Sequence, residues 1–120
     1  MFIDARKLSQ DSRLAADLAI IGAGPAGITL ARSMIGRTTR VCLVEAGGTA
    51  LHGPTQALYE GENVGIEYPL AGSRLRYFGG SSNHWGGWCL TLHPIDLEQR
   101  DWLPHSGWPF GFDELQRYYE

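Results

Sequence analysis

Short apolar runs that end in glycine or an acid dominate the first half of the chain. Residues 17–21 (DLAII) have the length and the boundaries of a β-strand buried on both faces. Residues 40–45 (RVCLVE) predict a second strand, and between the two a glycine-rich turn at residues 22–27 leads into a helical pattern. Strand, turn, helix and strand within about 30 residues predict a βαβ unit over residues 17–48, with parallel strands and a right-handed crossover. The predicted fold class is therefore α/β.

Apolar residues at helical spacing indicate the helix between the two strands. They are Ile28, Leu30, Ala31, Met34 and Ile35. Pro25 suits the first helical turn, where its missing N–H costs nothing, and Gly36 is a suitable C-terminal stop.

The remaining segments are less regular. Residues 1–16 are polar and weakly helical, and we expect a lead-in. Residues 49–91 start as an extended excursion, and loops of that length are usually functional or belong to something larger. Residues 92–120 begin the next region, and their last run, residues 112–120, predicts the first turns of a helix within which the chain stops. We therefore expect the N-terminal part of a longer protein, without its substrate domain.

Composition excludes several function classes. The 120 residues, 43% hydrophobic and 19% charged, suit one globular domain with a core. A net charge of −3 without a basic stripe argues against a nucleic-acid surface. The apolar run at residues 14–21 is too short to span a bilayer and contains Asp17. No signal peptide is apparent, so a cytoplasmic location is the default. The cysteines and histidines show no metal-ligand spacing.

The turn at residues 22–27 is a G-x-G-x-x-G motif in the context that a nucleotide site requires. Its residues are Gly22, Ala23, Gly24, Pro25, Ala26 and Gly27. Gly22 permits the tight turn, Gly24 leaves room for a pyrophosphate, and Gly27 lets helix and strand pack closely. The amides at the helix N-terminus then face the phosphate charge. The alternative interpretation is a plain strand-turn-helix.

Glu45, followed by Ala46, closes the second strand about 20 residues after the turn. An acid at that point accepts hydrogen bonds from ribose hydroxyls and repels a 2′-phosphate. These features predict a partial FAD/NAD(P)-binding Rossmann-like domain. They do not distinguish NAD from FAD, because both contain the ADP moiety that this unit would hold.

A second glycine loop follows at residues 74–89 (RLRYFGGSSNHWGGWC). Its candidate cofactor-binding residues are Arg76, Gly79, Gly80, Ser81, Ser82, Asn83, His84 and Trp85. The glycines allow backbone to pass a flat ring or a phosphate, and the short polar side chains offer hydrogen-bond donors. Arg74 or Arg76 could add a charge-assisted contact to phosphate. The alternative is a solvated glycine-serine surface loop.

Residues 74–85, together with the first glycine turn and the EAGG sequence at residues 45–48, resemble the glucose–methanol–choline family of FAD-dependent oxidoreductases. Residues 101–119 resemble its bacterial members related to sugar oxidoreductases. The resemblance covers nearly the whole chain and is specific to the family, not to a substrate. It implies oxidation of an alcohol or sugar CH–OH group by hydride transfer to the flavin of FAD, with an electron acceptor that stays open. The family's catalytic histidine lies near the C-terminal end, so no catalytic residue is expected in this chain, which alone should be inactive. Some family members are exported with a partner subunit.

His84 aligns with the histidine through which some family members attach FAD covalently. A neutral imidazole is a competent nucleophile toward the 8α-methyl group of flavin. The alternative is an unmodified histidine beside the ring, as in relatives that bind FAD non-covalently.

Two other functions stay open at this point. A nicotinamide-dependent dehydrogenase or reductase would use the same βαβ unit but would leave residues 79–85 without a role. A non-catalytic dinucleotide-binding module would keep the fold without the chemistry.

Overall fold

A computed structural model describes residues 1–119 of the chain. Their contacts divide the chain into two compact units, Met1–Trp85 and Gly86–Glu120.

The first unit is built on a strand-helix-strand arrangement. Strand β1 spans Leu18–Ile21, helix α1 spans Pro25–Ser33 and strand β2 spans Val41–Val44. The two strands pair in parallel, with Leu18 opposite Val41 and Ile21 opposite Val44. The mixed α/β class and the parallel sheet are therefore confirmed, at positions within one or two residues of those that the apolar runs predict.

Short helical segments occupy the rest of this unit. A 3-10 helix at Ala5–Lys7 lies in the lead-in, and helix α2 at Gly53–Gln56 continues into a second 3-10 helix at Ala57–Tyr59. A third 3-10 helix, Gly80–Asn83, lies in the second glycine loop. The excursion is thus mostly irregular backbone, as its mixed composition predicts.

The prediction that the first strand is buried on both faces is wrong. Ile20 is buried, but Ile21 is 81% exposed and Ala19 is exposed too. Successive strand residues point to opposite faces, and α1 covers the face of Ile20. Within the described part of the chain nothing covers the other face, which also carries the exposed Val44.

Helix α1 is shorter than its apolar pattern suggests. It ends at Ser33, and Met34 caps it through its N–H. A turn follows to Gly36, whose φ of +81° is the left-handed conformation expected of a glycine stop. Ile28, Ala31 and Met34 are half-buried, whereas Leu30 and Ile35 are exposed, so the apolar face that packs is narrower than predicted.

The second unit contains helices α3, Pro94–Leu97, and α4, Phe112–Gln116. Leu97 is its buried residue, and the Trp108 amide donates to the Leu97 carbonyl at 3.0 Å. The first turns of a helix that the sequence predicts from residue 112 are present as α4. Helix α4 ends at Gln116, because the Tyr118 and Tyr119 amides bond three residues back and tighten the backbone into turns.

No helix within residues 1–119 combines the length and the apolar character needed to cross a membrane.

Candidate functional site

The first glycine turn connects β1 to α1 and packs the first turn of the helix directly against the end of the strand. Gly22 has a φ of +97°, and its amide donates to the Val44 carbonyl at 2.7 Å. A Cβ at Gly27 would lie 2.0 Å from the Gly22 carbonyl oxygen and 3.4 Å from Cγ2 of Ile20. Only glycine fits at residue 27, because the helix starts directly against the strand that precedes it.

The start of α1 presents amides that the protein itself does not use. Within residues 1–119, no oxygen accepts a hydrogen bond from the N–H of Gly24, Ala26 or Gly27. A Cβ at Gly24 would meet no atom within 4 Å, so the space beside this residue is open. Unpaired amides at a helix N-terminus, next to open space, form a site that attracts an anion.

Glu45 binds the turn from the end of β2. Its Oε2 accepts the Ala23 amide at 2.8 Å, and its Oε1 accepts the Gly47 amide at 2.9 Å. Ala23 is fully buried, so this carboxylate satisfies an amide that water cannot reach. Each carboxylate oxygen can accept about two hydrogen bonds. The carboxylate thus keeps acceptor capacity for a ribose hydroxyl, the role that the sequence predicts.

The second glycine loop crosses the first turn at close range. The Gly79 amide donates to the Ala23 carbonyl at 2.8 Å. A Cβ at Gly80 would lie 3.2 Å from Cα of Gly24. Two glycine motifs that are far apart in the sequence therefore meet at the open start of α1.

A third glycine segment, residues 46–48, completes this meeting point. The Phe78 amide donates to the Gly48 carbonyl at 2.9 Å, and a Cβ at Gly47 would lie 2.0 Å from the Arg76 carbonyl oxygen. Ala46 lies between Glu45 and this contact and is exposed. The turn at residues 22–27, the strand end at 45–48 and the loop at 76–80 are thus in mutual contact. We call these three segments the glycine junction.

The polar side chains of the second loop are largely used to shape the loop itself. The Ser82 hydroxyl donates to the Gly79 carbonyl, and Nδ2 of Asn83 donates to the carbonyls of Phe78 and Gly80, both at 3.0 Å. Ser81 Oγ accepts the Leu75 amide at 3.2 Å. The donors of Ser82 and Asn83 are thus engaged by backbone carbonyls of the loop itself.

His84 and Trp85 follow directly after the 3-10 helix Gly80–Asn83. The His84 amide donates to the Ser81 carbonyl at 3.3 Å, while its imidazole is exposed and makes no hydrogen bond to the described residues. Trp85 is 49% exposed. Both side chains are therefore accessible at the end of the loop.

Sequence reasoning missed Gln56, which ties the excursion to the glycine junction. Its Nε2 donates to the carbonyls of Ala71 and Arg74, both at 2.6 Å, and its Oε1 accepts the Arg76 amide at 2.9 Å. A glutamine in an irregular segment gives no sequence signal for such a role, because the contact depends on the path of the chain fifteen to twenty residues later.

One ionic contact fixes the start of the sheet. Asp17 accepts the Arg40 amide at 2.8 Å and pairs with its guanidinium at 3.2 Å. These hydrogen bonds from Arg40 lower the pKa of Asp17 below its ordinary value. Among residues 1–119, no group of three His, Cys, Asp or Glu side chains could hold a metal ion, and the thiols of Cys42 and Cys89 are free.

Comparisons with protein-family models, curated proteins and solved structures find no match for this chain.

Proposed function

We propose that the chain is the FAD-binding N-terminal portion of an oxidoreductase that oxidises an alcohol or sugar CH–OH group. In this proposal residues 17–48 are a Rossmann-like nucleotide unit, and the loop at residues 76–85 lies along the flavin half of the cofactor. The observation that carries the proposal is the glycine junction. A glycine turn without a binding role would not require a second glycine loop in contact with it, next to its unpaired amides.

The first turn fits the pyrophosphate of FAD. The amides of Gly24, Ala26 and Gly27 are unpaired, and the space beside Gly24 would be filled by any side chain. Phosphate oxygens there would accept these amides and gain from the helix dipole. Glu45, held in place by two backbone amides, would accept a ribose hydroxyl.

The second loop supports FAD over a nicotinamide cofactor. Gly79 and Gly80 put bare backbone next to the turn, where a dinucleotide would continue toward its second half. His84 and Trp85 are exposed at the end of this loop. FAD would supply the hydride acceptor for alcohol oxidation, while the protein binds and orients it. An enzyme that binds only NAD would give this loop no function.

Cofactor binding by the 120-residue chain tests the proposal. The chain is incubated with FAD, desalted and examined for flavin absorbance at about 450 nm. A parallel sample receives NAD, and any NAD retained is released by denaturation and quantified with a dehydrogenase assay. We expect retained FAD and no NAD. Retention of NAD alone would favour a nicotinamide-dependent enzyme, and retention of neither cofactor would contradict the proposal.

A matched pair of variants locates the site. Gly24→Val fills the open space at the turn, whereas Gly53→Val adds the same atoms at the start of α2, where a Cβ meets nothing within 4 Å. We expect FAD affinity to fall at least about tenfold in the first variant only. Equal affinities would show that the cofactor does not use the glycine turn.

The covalent role of His84 is tested separately. We expect flavin to stay with the polypeptide after acid denaturation of the wild-type holoprotein and to be released from His84→Asn. Release from both proteins would leave His84 as an unmodified neighbour of the ring.

A further inference from the structure

Two arginines of the second loop lie against one tyrosine ring. The guanidinium carbon of Arg74 is 4.5 Å from the centroid of the Tyr59 ring, and that of Arg76 is 5.0 Å from it. Distances below about 6 Å are within the range of cation–π attraction. We call Tyr59, Arg74 and Arg76 the arginine pair cluster.

The cluster holds its guanidinium groups while leaving most of their donors unused. Nε of Arg74 donates to the Leu70 carbonyl at 3.2 Å. Nε of Arg76 is buried and has no hydrogen-bond partner. Across residues 1–119, the terminal nitrogens of both groups donate to no oxygen. Stacking on the ring thus positions Arg76, and its terminal nitrogens stay available.

Among residues 1–119, no acid forms an ion pair with either arginine. The ion pairs in the described part of the chain are Arg6–Asp4 and Arg40–Asp17, which do not involve this cluster. Guanidinium groups without an acidic partner attract an anion. The arrangement therefore favours an oxyanion as its partner.

The backbone that carries the two arginines is rigidly attached. Gln56 accepts the Arg76 amide and donates to the Arg74 carbonyl, so one side chain fixes both residues. Tyr59 lies in the 3-10 helix that directly follows α2, where Gln56 is located. Ring and arginines are thus positioned by one local scaffold, as a preformed binding site requires.

We infer that the arginine pair cluster is a phosphate-binding site distinct from the amides at the start of α1. A forked guanidinium group matches the charge and the oxygen geometry of a phosphate, and hydrogen bonds between charged partners are the strong ones. The backbone of Arg76 adjoins the glycine junction, because its carbonyl oxygen lies beside Gly47. The phosphate could belong to a nucleotide held at the junction or be a separate one.

NMR titration of the 120-residue chain with inorganic phosphate tests the site without any flavin. The side-chain Nε–H resonances of Arg74 and Arg76 are followed, with sodium chloride at equal ionic strength as reference. We expect saturable shifts of both resonances with phosphate and none with chloride. Linear shifts of the same size in both salts would overturn the inference, whatever the outcome for FAD.

Variants then separate binding from general charge effects. Arg76→Gln should weaken phosphate binding about tenfold or more, since it removes one charge-assisted donor group. Arg13→Gln, which removes an equal charge from the exposed lead-in, should leave it unchanged. Tyr59→Leu should weaken binding, and Tyr59→Phe should retain it because the aromatic face remains. Equal affinity for phosphate in Arg76→Gln and wild type would overturn the site. Unchanged amide resonances elsewhere in the chain show that each variant is folded.

A competition experiment identifies the source of the phosphate. If the cluster takes a nucleotide phosphate, ADP should displace inorganic phosphate, whereas adenosine should not. If it takes a separate phosphate, both should bind at once and the arginine resonances should stay shifted in the presence of ADP. Both outcomes support the site, and the absence of any response to either phosphate or ADP contradicts it.

Discussion

Different kinds of internal contact stabilise each of the two units of the chain. In the unit Met1–Trp85, strands pair, and at the glycine junction the backbones of three segments that are far apart in the sequence come into direct contact. In the unit Gly86–Glu120, a serine side chain closes a short loop. Ser106 Oγ accepts the Arg100 amide at 2.8 Å and donates toward the Leu103 and Arg100 carbonyls at 2.7 and 3.1 Å.

This difference explains why the candidate site lies in the first unit. Bare backbone leaves amides unpaired and lets a ligand approach, whereas a loop closed by a side chain consumes its own polar groups. The second unit has an open groove of about 350 Å³, with Arg100, His105 and Trp108 among its lining residues, but it contains none of the predicted cofactor residues. If the comparison is correct, an added side chain at the glycine junction should destabilise the first unit, and loss of the Ser106 hydroxyl should destabilise the second.

The largest effect is expected from Gly27→Ala. The added Cβ would lie 2.0 Å from the Gly22 carbonyl oxygen, and backbone on both sides of the contact cannot yield. We expect the free energy of unfolding of the first unit to fall by about 3 kcal/mol or more. Urea unfolding followed by far-UV circular dichroism measures it.

Gly111→Ala is the matched control in the second unit. A Cβ there meets nothing within 4 Å, so the same change should alter stability by less than about 0.5 kcal/mol. Comparable losses in the two variants would mean that close backbone contact is not what distinguishes the units.

Glu45→Gln is expected to have the next largest effect. The amide group of glutamine keeps one acceptor oxygen, so one of the Ala23 and Gly47 amides loses its partner. Because Ala23 is fully buried, an unpaired amide there should cost about 1–3 kcal/mol. The loss is measured as the change in urea midpoint, and hydrogen exchange at Ala23 and Gly47 shows which amide is released. Glu62 is exposed and makes no hydrogen bond or ion pair within residues 1–119, so Glu62→Gln should not change the urea midpoint.

The sequence predicts the parts of the fold that depend on local physical requirements. Strand, turn, helix and strand follow from apolar runs and from glycines whose backbone cannot accommodate a side chain, such as Gly27. Other features could not be predicted, because they depend on contacts with residues elsewhere in the chain. Burial of β1 on both faces requires a second covering layer, and the donors of Ser82 and Asn83 are engaged only once the loop has its shape. Gln56 and Tyr59 stand outside every motif, so only the structure brings them to the arginines.

Ser106→Ala should affect the second unit and leave the first unchanged. It removes the acceptor of the half-buried Arg100 amide and should destabilise the loop by about 1 kcal/mol. We expect faster hydrogen exchange at the amides of Arg100 and Trp108, with no change at Gly22 or Gly79. Unchanged exchange in the second unit would show that the serine does not close this loop. Thr91→Ala is the control, because Thr91 is exposed in the same unit and its side chain makes no hydrogen bond within residues 1–119.

The smallest effect concerns the ion pair at the start of the sheet in the first unit. Hydrogen bonds from Arg40 lower the pKa of Asp17 below its ordinary value of 3.8. A lowered pKa in the folded state means that the pair contributes stability above that ordinary value and loses it as the pH falls through the folded value. Both groups are exposed, so the contribution is small. We expect wild type to be slightly more stable than Asp17→Asn at about pH 7, and the difference to vanish as the pH falls through the lowered pKa of Asp17 in the folded state. A difference that persists at the lowest pH would show that Asp17 acts through its geometry at the start of β1 and not through its charge.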